Sequence, residues 1–137
     1  MKPTIYFLNI PDNASKLTRL CATVQKHFEQ GQKVLIQVAN DEAAIYIDQL
    51  LWRLPEEGFL PHQIAKKATN ETIAISTTAN NWNNANILIN LCPDMSQMCE
   101  RFEMVYELND TTHPEKLRLS LKRQNDYKAS GYTVEEI

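Results

Sequence analysis

Glycine, cysteine and histidine are all scarce in this sequence, three of each in 137 residues, and each scarcity excludes a kind of chemistry. A phosphate-binding loop needs backbone amides brought close to the ligand without side chains in the way, so it clusters glycines. Gly31, Gly58 and Gly131 are isolated, and the Asn9–Ala14 segment has none. Neither a dinucleotide fingerprint nor a P-loop is present. Cys21, Cys92 and Cys99 are odd in number, widely spaced and form no CxxC pair. That pattern points to buried or idle thiols, with Cys21 acting as a small hydrophobe, rather than to a disulfide frame or a zinc site. His27, His62 and His113 lie far apart, and none stands three or four residues from another His or a Cys. His27 borders an apolar helical stripe and reads as a hydrogen-bonded core histidine; His62 follows Pro61 and is expected to bond a loop carbonyl.

Long apolar runs are missing as well. No stretch approaches the length that spans a membrane, and MKPTIYFLNI is too short an apolar run for a signal peptide, with Asn13 and Ser15 soon after. The net charge is -3, which gives no global push toward nucleic acid or membrane. With 43% hydrophobic and 23% charged residues, the chain has the make-up of one soluble globular domain in a reducing cytoplasm.

What is present is an alternation of strand-like and helix-like segments. Thr4–Leu8 is a short β-rich run after Pro3. A helix follows, capped around Asn13–Ser15; Leu17, Leu20, Cys21, Val24 and Phe28 mark one buried face, and Gly31 ends it. Val34-Leu35-Ile36 with Val38 suits a strand covered on both faces. Asn40 or Asp41 caps a second helix whose inner stripe is Ala44, Ile47, Leu51 and Leu54, widened by Leu50. Glu71–Ser76 and Asn86–Leu91 read as further strands, joined by a polar loop with Trp82 at its centre. Pro93 and Asp94 open a short helix to about Arg101, Glu103–Leu108 is a fifth strand, and His113-Pro114-Glu115 starts a last helix that closes at Gly131. The order predicts a single α/β domain: a mostly parallel sheet of about five strands flanked by helices, without a nucleotide-binding loop.

No catalytic set emerges. The carboxylate pairs Asp41-Glu42 and Glu56-Glu57 fall at a helix start and in a turn, where structural roles account for them. A small α/β enzyme or nucleotide binder with its site at the C-terminal ends of the strands is the rival reading, and the missing glycines count against it. Two surface features remain. The first is Leu50–His62, LLWRLPEEGFLPH, in which a helix is halted by Pro55, turns at Gly58 and leaves through Phe59-Leu60-Pro61. Trp52 there is either core, needing a partner for its indole N–H, or an interface anchor. The second is the basic run Lys116, Arg118, Lys122, Arg123 and Lys128 on the last helix, which is either a solvated face or a patch for a phosphate or acidic peptide. Tyr127 and Tyr132 nearby offer an apolar floor.

TIYFL, GQKVLIQV, DEAAIYIDQLLWRLPEEGFLPH, ANILINL and YKASGY, in that order, resemble the chi subunit of bacterial DNA polymerase III holoenzyme over nearly the full length. The Leu-Trp segment followed by Phe-x-Pro-His is the most specific part. The resemblance implies a non-catalytic replication subunit with a Rossmann-like fold that has no nucleotide site, and no cofactor. It also implies a heterodimer with the psi subunit, which ties the protein to the clamp loader, and an association with DNA only through partners. On that basis Trp52, Phe59 and Leu60 face the psi-like partner, while Leu50, Leu51 and Leu54 form the packed side. The family also binds the acidic C-terminal tail of single-stranded-DNA-binding protein on its basic last helix, matched in region by Arg118, Lys122, Arg123, Tyr127 and Lys128. Where the family places an arginine in an R-x-R pair, this chain has Leu121 before Arg123, so the tail contact is either passed to Arg118, Lys122 or Arg123, or weaker.

Overall fold

The computed structural model describes residues 2–53 and 60–137. Strands β1 (Ile5–Ile10), β2 (Val34–Gln37), β3 (His62–Ile64), β4 (Ile73–Ser76), β5 (Ile87–Asn90), β6 (Met104–Asp110) and β7 (Val134–Glu136) form one sheet in the order β3-β4-β2-β5-β6-β1-β7. Every pairing is parallel. Helices α1 (Asn13–Glu29), α2 (Asp41–Arg53) and α3 (Pro114–Ala129) complete the α/β layers. A parallel sheet must be covered on both sides, and the alternation of side chains along each strand shows how. Val34, Ile36, Ile73, Ile75, Ile87 and Ile89 share a core with Leu20 and Val24 of α1 and with Ala44, Ile47, Leu50 and Leu51 of α2. Leu35, Ala74, Leu88, Ile5, Phe7 and Val105 point the other way, into a core that includes Tyr127 of α3.

The fold class is the expected one, with seven strands rather than about five. β3 and β7 are each three residues long and lie at the sheet's two edges, too short to carry a periodicity of their own. The helix expected from Pro93 to Arg101 is reduced to one 3₁₀ turn, Cys99–Arg101. The Ser96 amide there donates to the Tyr127 hydroxyl at 3.0 Å instead of entering a helical ladder. Asp12, one residue before the expected region, caps α1 by accepting from the Ser15 amide at 2.7 Å. Of the two candidate caps on α2, Asn40 takes the role, its side-chain oxygen accepting from the Ala43 amide at 2.9 Å. Gly31 and Gly131 stand just past α1 and α3 with φ of 73° and 89°, the left-handed conformation that ends a helix cheaply only at glycine. Leu54, Pro55, Gly58 and Phe59 lie outside the described residues.

The cysteines and His27 sit as expected. All three thiols are free. Burial pushes Cys21, Cys92 and Cys99 each up to about 11, so none is poised as a nucleophile. His27 is buried, with Nδ1 2.6 Å from the Gln32 amide oxygen and Nε2 2.7 Å from the Tyr106 hydroxyl. The polar loop before β5 turns Asn83 and Ala85 inward, and buried Asn83 donates to the carbonyls of Val34 (3.0 Å) and Glu71 (3.1 Å), clamping the start of β2.

Candidate functional site

Helix α2 begins with a side-chain cap and with Asp41 and Glu42 in its first turn, where carboxylates complement the helix dipole. Its last turn divides sharply between core and surface. Leu50 and Leu51 are 1% exposed, and the next residue, Trp52, is 55% exposed. Ile45, seven residues earlier and so on the same side of the helix, is exposed too. The indole is seated against His62, ring centroids 4.7 Å apart at 59°. His62 is itself fixed: Nδ1 bonds the Leu60 carbonyl at 2.6 Å, and Nε2 meets the Asp48 carbonyl and a carboxylate oxygen of Asp48, each at 3.1 Å. The loop carbonyl expected for His62 is therefore that of Leu60. Leu60 belongs to the core beneath, 3% exposed, rather than to the surface. The structure thus brings Trp52 and His62 together, with His62 bonded to the backbone of Leu60.

Helix α3 starts at Pro114, with His113 as cap accepting from the Glu115 amide at 3.2 Å. The five residues singled out on it do not share one face. Arg118 and Lys122 point outward and pair along the helix, Arg118 Nε with Glu115 at 2.9 Å and Lys122 with Asp126 at 2.8 Å. Lys128 is exposed as well. Arg123 and Tyr127 point inward. The Arg123 guanidinium binds Glu107 at 2.9 Å and the Leu108 carbonyl at 2.9 Å, and the Tyr127 hydroxyl donates to the other Glu107 oxygen. Asn90 reaches that same oxygen at 2.7 Å. Burial pushes the Glu107 carboxyl up to about 7, against the pull of Arg123, Tyr127 and Asn90 toward the ionised form. The sequence signal for this buried network is a carboxylate flanked by Tyr106 and Leu108 in the middle of a strand. Leu117 and Leu121, one turn apart, remain on the outward side of α3 beside Arg118 and Lys122.

Among the described residues no group of three His, Cys, Asp or Glu stands close enough to hold a metal ion, and no helix is long and apolar enough to cross a membrane. Two surface features stand out: an exposed indole seated against His62, and a basic helix face with two leucines in it.

The sequence matches the family described as DNA polymerase III chi subunit, HolC, over residues 2–135. It is 24% identical over 131 residues to the DNA polymerase III subunit chi of Pseudomonas aeruginosa, covering 96% of this chain and 92% of that one. It is 23% identical over 128 residues to the subunit of the same name from Escherichia coli, covering 90% and 86%. The relative from Haemophilus influenzae, again of that name, is 24% identical over 112 residues, or 78% of each chain. With the family match spanning almost every residue, the chain belongs to the DNA polymerase III chi subunit family.

Proposed function

We propose that this protein is a two-sided adaptor, joining a psi-like clamp-loader subunit on one surface to the acidic C-terminal tail of single-stranded-DNA-binding protein on another. The observation that carries the reading is Trp52: a large aromatic side chain more than half exposed, directly after two leucines that are fully packed. Rigid, amphipathic aromatics of this kind are the residues that dominate binding energy at protein interfaces. His62 holds the indole in place, so little side-chain freedom is lost on association. Phe59 completes the anchor in this reading, and Leu60 supports it from within the core.

The tail-binding side is the outward face of α3. Arg118, Lys122 and Lys128 supply the cations, and Leu117 with Leu121 supplies the apolar floor for a terminal aromatic ring. Leu121, standing where the family has an arginine, exchanges charge for apolar contact in this scheme. Arg123 and Tyr127 act from beneath by holding the helix in position. The pairs of Arg118 with Glu115 and Lys122 with Asp126 are exposed and therefore weak, so acidic residues of a tail displace them readily.

The test is a titration of an acidic peptide ending in Asp-Asp-Ile-Pro-Phe against wild type and an Arg118→Ala/Lys122→Ala variant, at two salt concentrations. The reading expects weaker binding by the variant and by both proteins at high salt. Equal affinities would remove the basic face from the scheme. For the other surface, a pull-down from cell extract is expected to recover clamp-loader subunits with wild type and to lose them with Trp52→Ala; recovery by both would remove the indole.

A further inference from the structure

A cleft of about 330 Å³ opens at the C-terminal edge of the sheet, where β2, β5 and β6 end between α1 and α2 on one side and α3 on the other. In open α/β sheets this edge is where ligands bind, and the volume lies within the roughly 300–1,000 Å³ typical of small-molecule pockets. Its lining is mainly apolar, with Leu17 and Ile47 on one wall and Leu119 on the other.

The charged groups in the cleft differ in how far they are already committed. Arg123 is bound to Glu107, to two backbone carbonyls and to Ser120. Lys16 is tied to Asp110 at 2.8 Å, and Asp110 also accepts from Thr112, so that acid is answered within the protein. Lys116, in the first turn of α3, has no hydrogen-bond or ion-pair partner among the described residues. The uncommitted charge in the cleft is thus positive. The first turns of α1, α2 and α3 all reach this cleft, through Lys16, Ala43 and Lys116, but Asp12, Asp41, Glu42 and Glu115 stand at those turns and offset their dipoles, so the positive charge rests on Lys116.

A cation is disfavoured by that balance, and a neutral apolar molecule would leave Lys116 unanswered. A di- or triphosphate needs the glycine cradle that this chain lacks. We propose that the cleft binds a small organic monocarboxylate with an apolar body, the carboxylate at Lys116 and the body against Leu17, Ile47 and Leu119. This site is separate from both surfaces of the adaptor reading and does not rest on it. The same chemistry is carried by a free acid and by the last residue of a peptide.

The experiment is a two-dimensional NMR titration of the labelled full chain with 3-phenylpropionate, with its neutral amide, and with acetyl-glycyl-phenylalanine. The acid is expected to shift the amide resonances of Ala43, Leu91 and Leu119, and the neutral amide to bind more weakly, by up to about fivefold, as loss of one exposed charge contact implies. Stronger binding of the dipeptide than of 3-phenylpropionate assigns the site to a chain end; the reverse assigns it to a free acid. Lys116→Glu is expected to raise the dissociation constant of the acid about fivefold or more. Ala43→Phe, which fills the cleft, is expected to abolish binding, and Lys67→Ala to leave it unchanged. If Ala43→Phe fails to fold, Lys116→Glu at an exposed position still decides the matter. The proposal is overturned if the acid shifts none of these resonances, if the neutral amide binds as well, or if Lys116→Glu binds like wild type. The adaptor reading is tested separately, because its variants are Arg118, Lys122 and Trp52.

Discussion

Arg123 lies over Glu107 with its Nε 2.9 Å from a carboxylate oxygen, and the pair ties the last helix to the sheet through charge rather than through apolar packing. Neither side chain reaches solvent to any extent, at 9% and 0% exposure. Almost every polar atom around them is answered: Tyr127 and Asn90 complete Glu107, while Leu108, Pro93 and Ser120 complete Arg123. A residue that reads as one member of a basic surface run is thus part of the interior.

Removing one partner of such a pair leaves the other buried and uncompensated, which costs far more than the pair itself contributes. Arg123→Ala is therefore expected to destabilise the protein by about 3–5 kcal/mol, measured by urea unfolding at pH 8, above the value of about 7 at which the Glu107 carboxyl ionises. The double variant Glu107→Leu/Arg123→Met, which removes both charges and keeps the volume, is expected to cost less than either single change. A double variant worse than both singles would show that the network contributes more than the avoidance of stranded charge.

The same pair shows why the sequence could be read so well in the sheet and so poorly on α3. β1, β2, β4, β5 and β6 each carry apolar runs long enough to declare themselves, and the stripes Leu20-Cys21-Val24 and Ala44-Ile47-Leu51 have helical spacing in apolar residues. The buried face of α3 has the same helical spacing, but in Ser120, Arg123, Gln124 and Tyr127. Hydropathy cannot mark a stripe built from polar groups whose partners come from a distant strand. The apolar residues that do stand out there, Leu117 and Leu121, are on the exposed side. On α2 the stripe is ordinary, so Leu50 and Leu51 could be assigned to the packed side from spacing alone, and they are packed.

Acid should act on the α1 end of the sheet. Burial alone would raise the Asp110 carboxyl, but hydrogen bonds from Lys16 and Thr112 outweigh it and bring it from 3.8 down to about 2. Because the folded value is the lower one, this group's contribution is fully present above pH 3.8 and is lost as pH falls through about 2. The shift corresponds to about 2 kcal/mol. Asp110→Asn is expected to be less stable than wild type at pH 6, with the gap narrowing below pH 4, in urea unfolding across that range. A gap that does not change with pH would mean that Asp110 stabilises through shape and not through charge.

The thiols give a kinetic test of burial. With all three raised to about 11, the thiolate fraction at pH 8 is about a hundredfold below that of an ordinary cysteine. Ellman's reagent is expected to react slowly with the native protein, at Cys92 first because it is the only half-buried one, and rapidly with all three in denaturant. A native thiol that reacts at the rate of a free cysteine would contradict the packing around it.

Trp52 and Leu51 are neighbours in sequence and should behave as opposites. Leu51 is 1% exposed in the core shared by α1, α2 and the sheet, so Leu51→Ala is expected to cost about 2–5 kcal/mol of stability, through lost transfer energy and the cavity it leaves. Trp52 is 55% exposed and rests on His62, whose own bonds to Leu60 and Asp48 do not pass through the indole. Trp52→Ala is expected to change stability by no more than about 1 kcal/mol. If the indole is the anchor for a psi-like subunit, the same substitution weakens that association by about 2 kcal/mol or more, roughly thirtyfold in dissociation constant. Thermal unfolding and partner titration on the same two variants separate the cases. A Trp52→Ala protein as unstable as Leu51→Ala would make the indole a core residue after all, and a stable one that binds its partner normally would leave its exposure without a use at that interface.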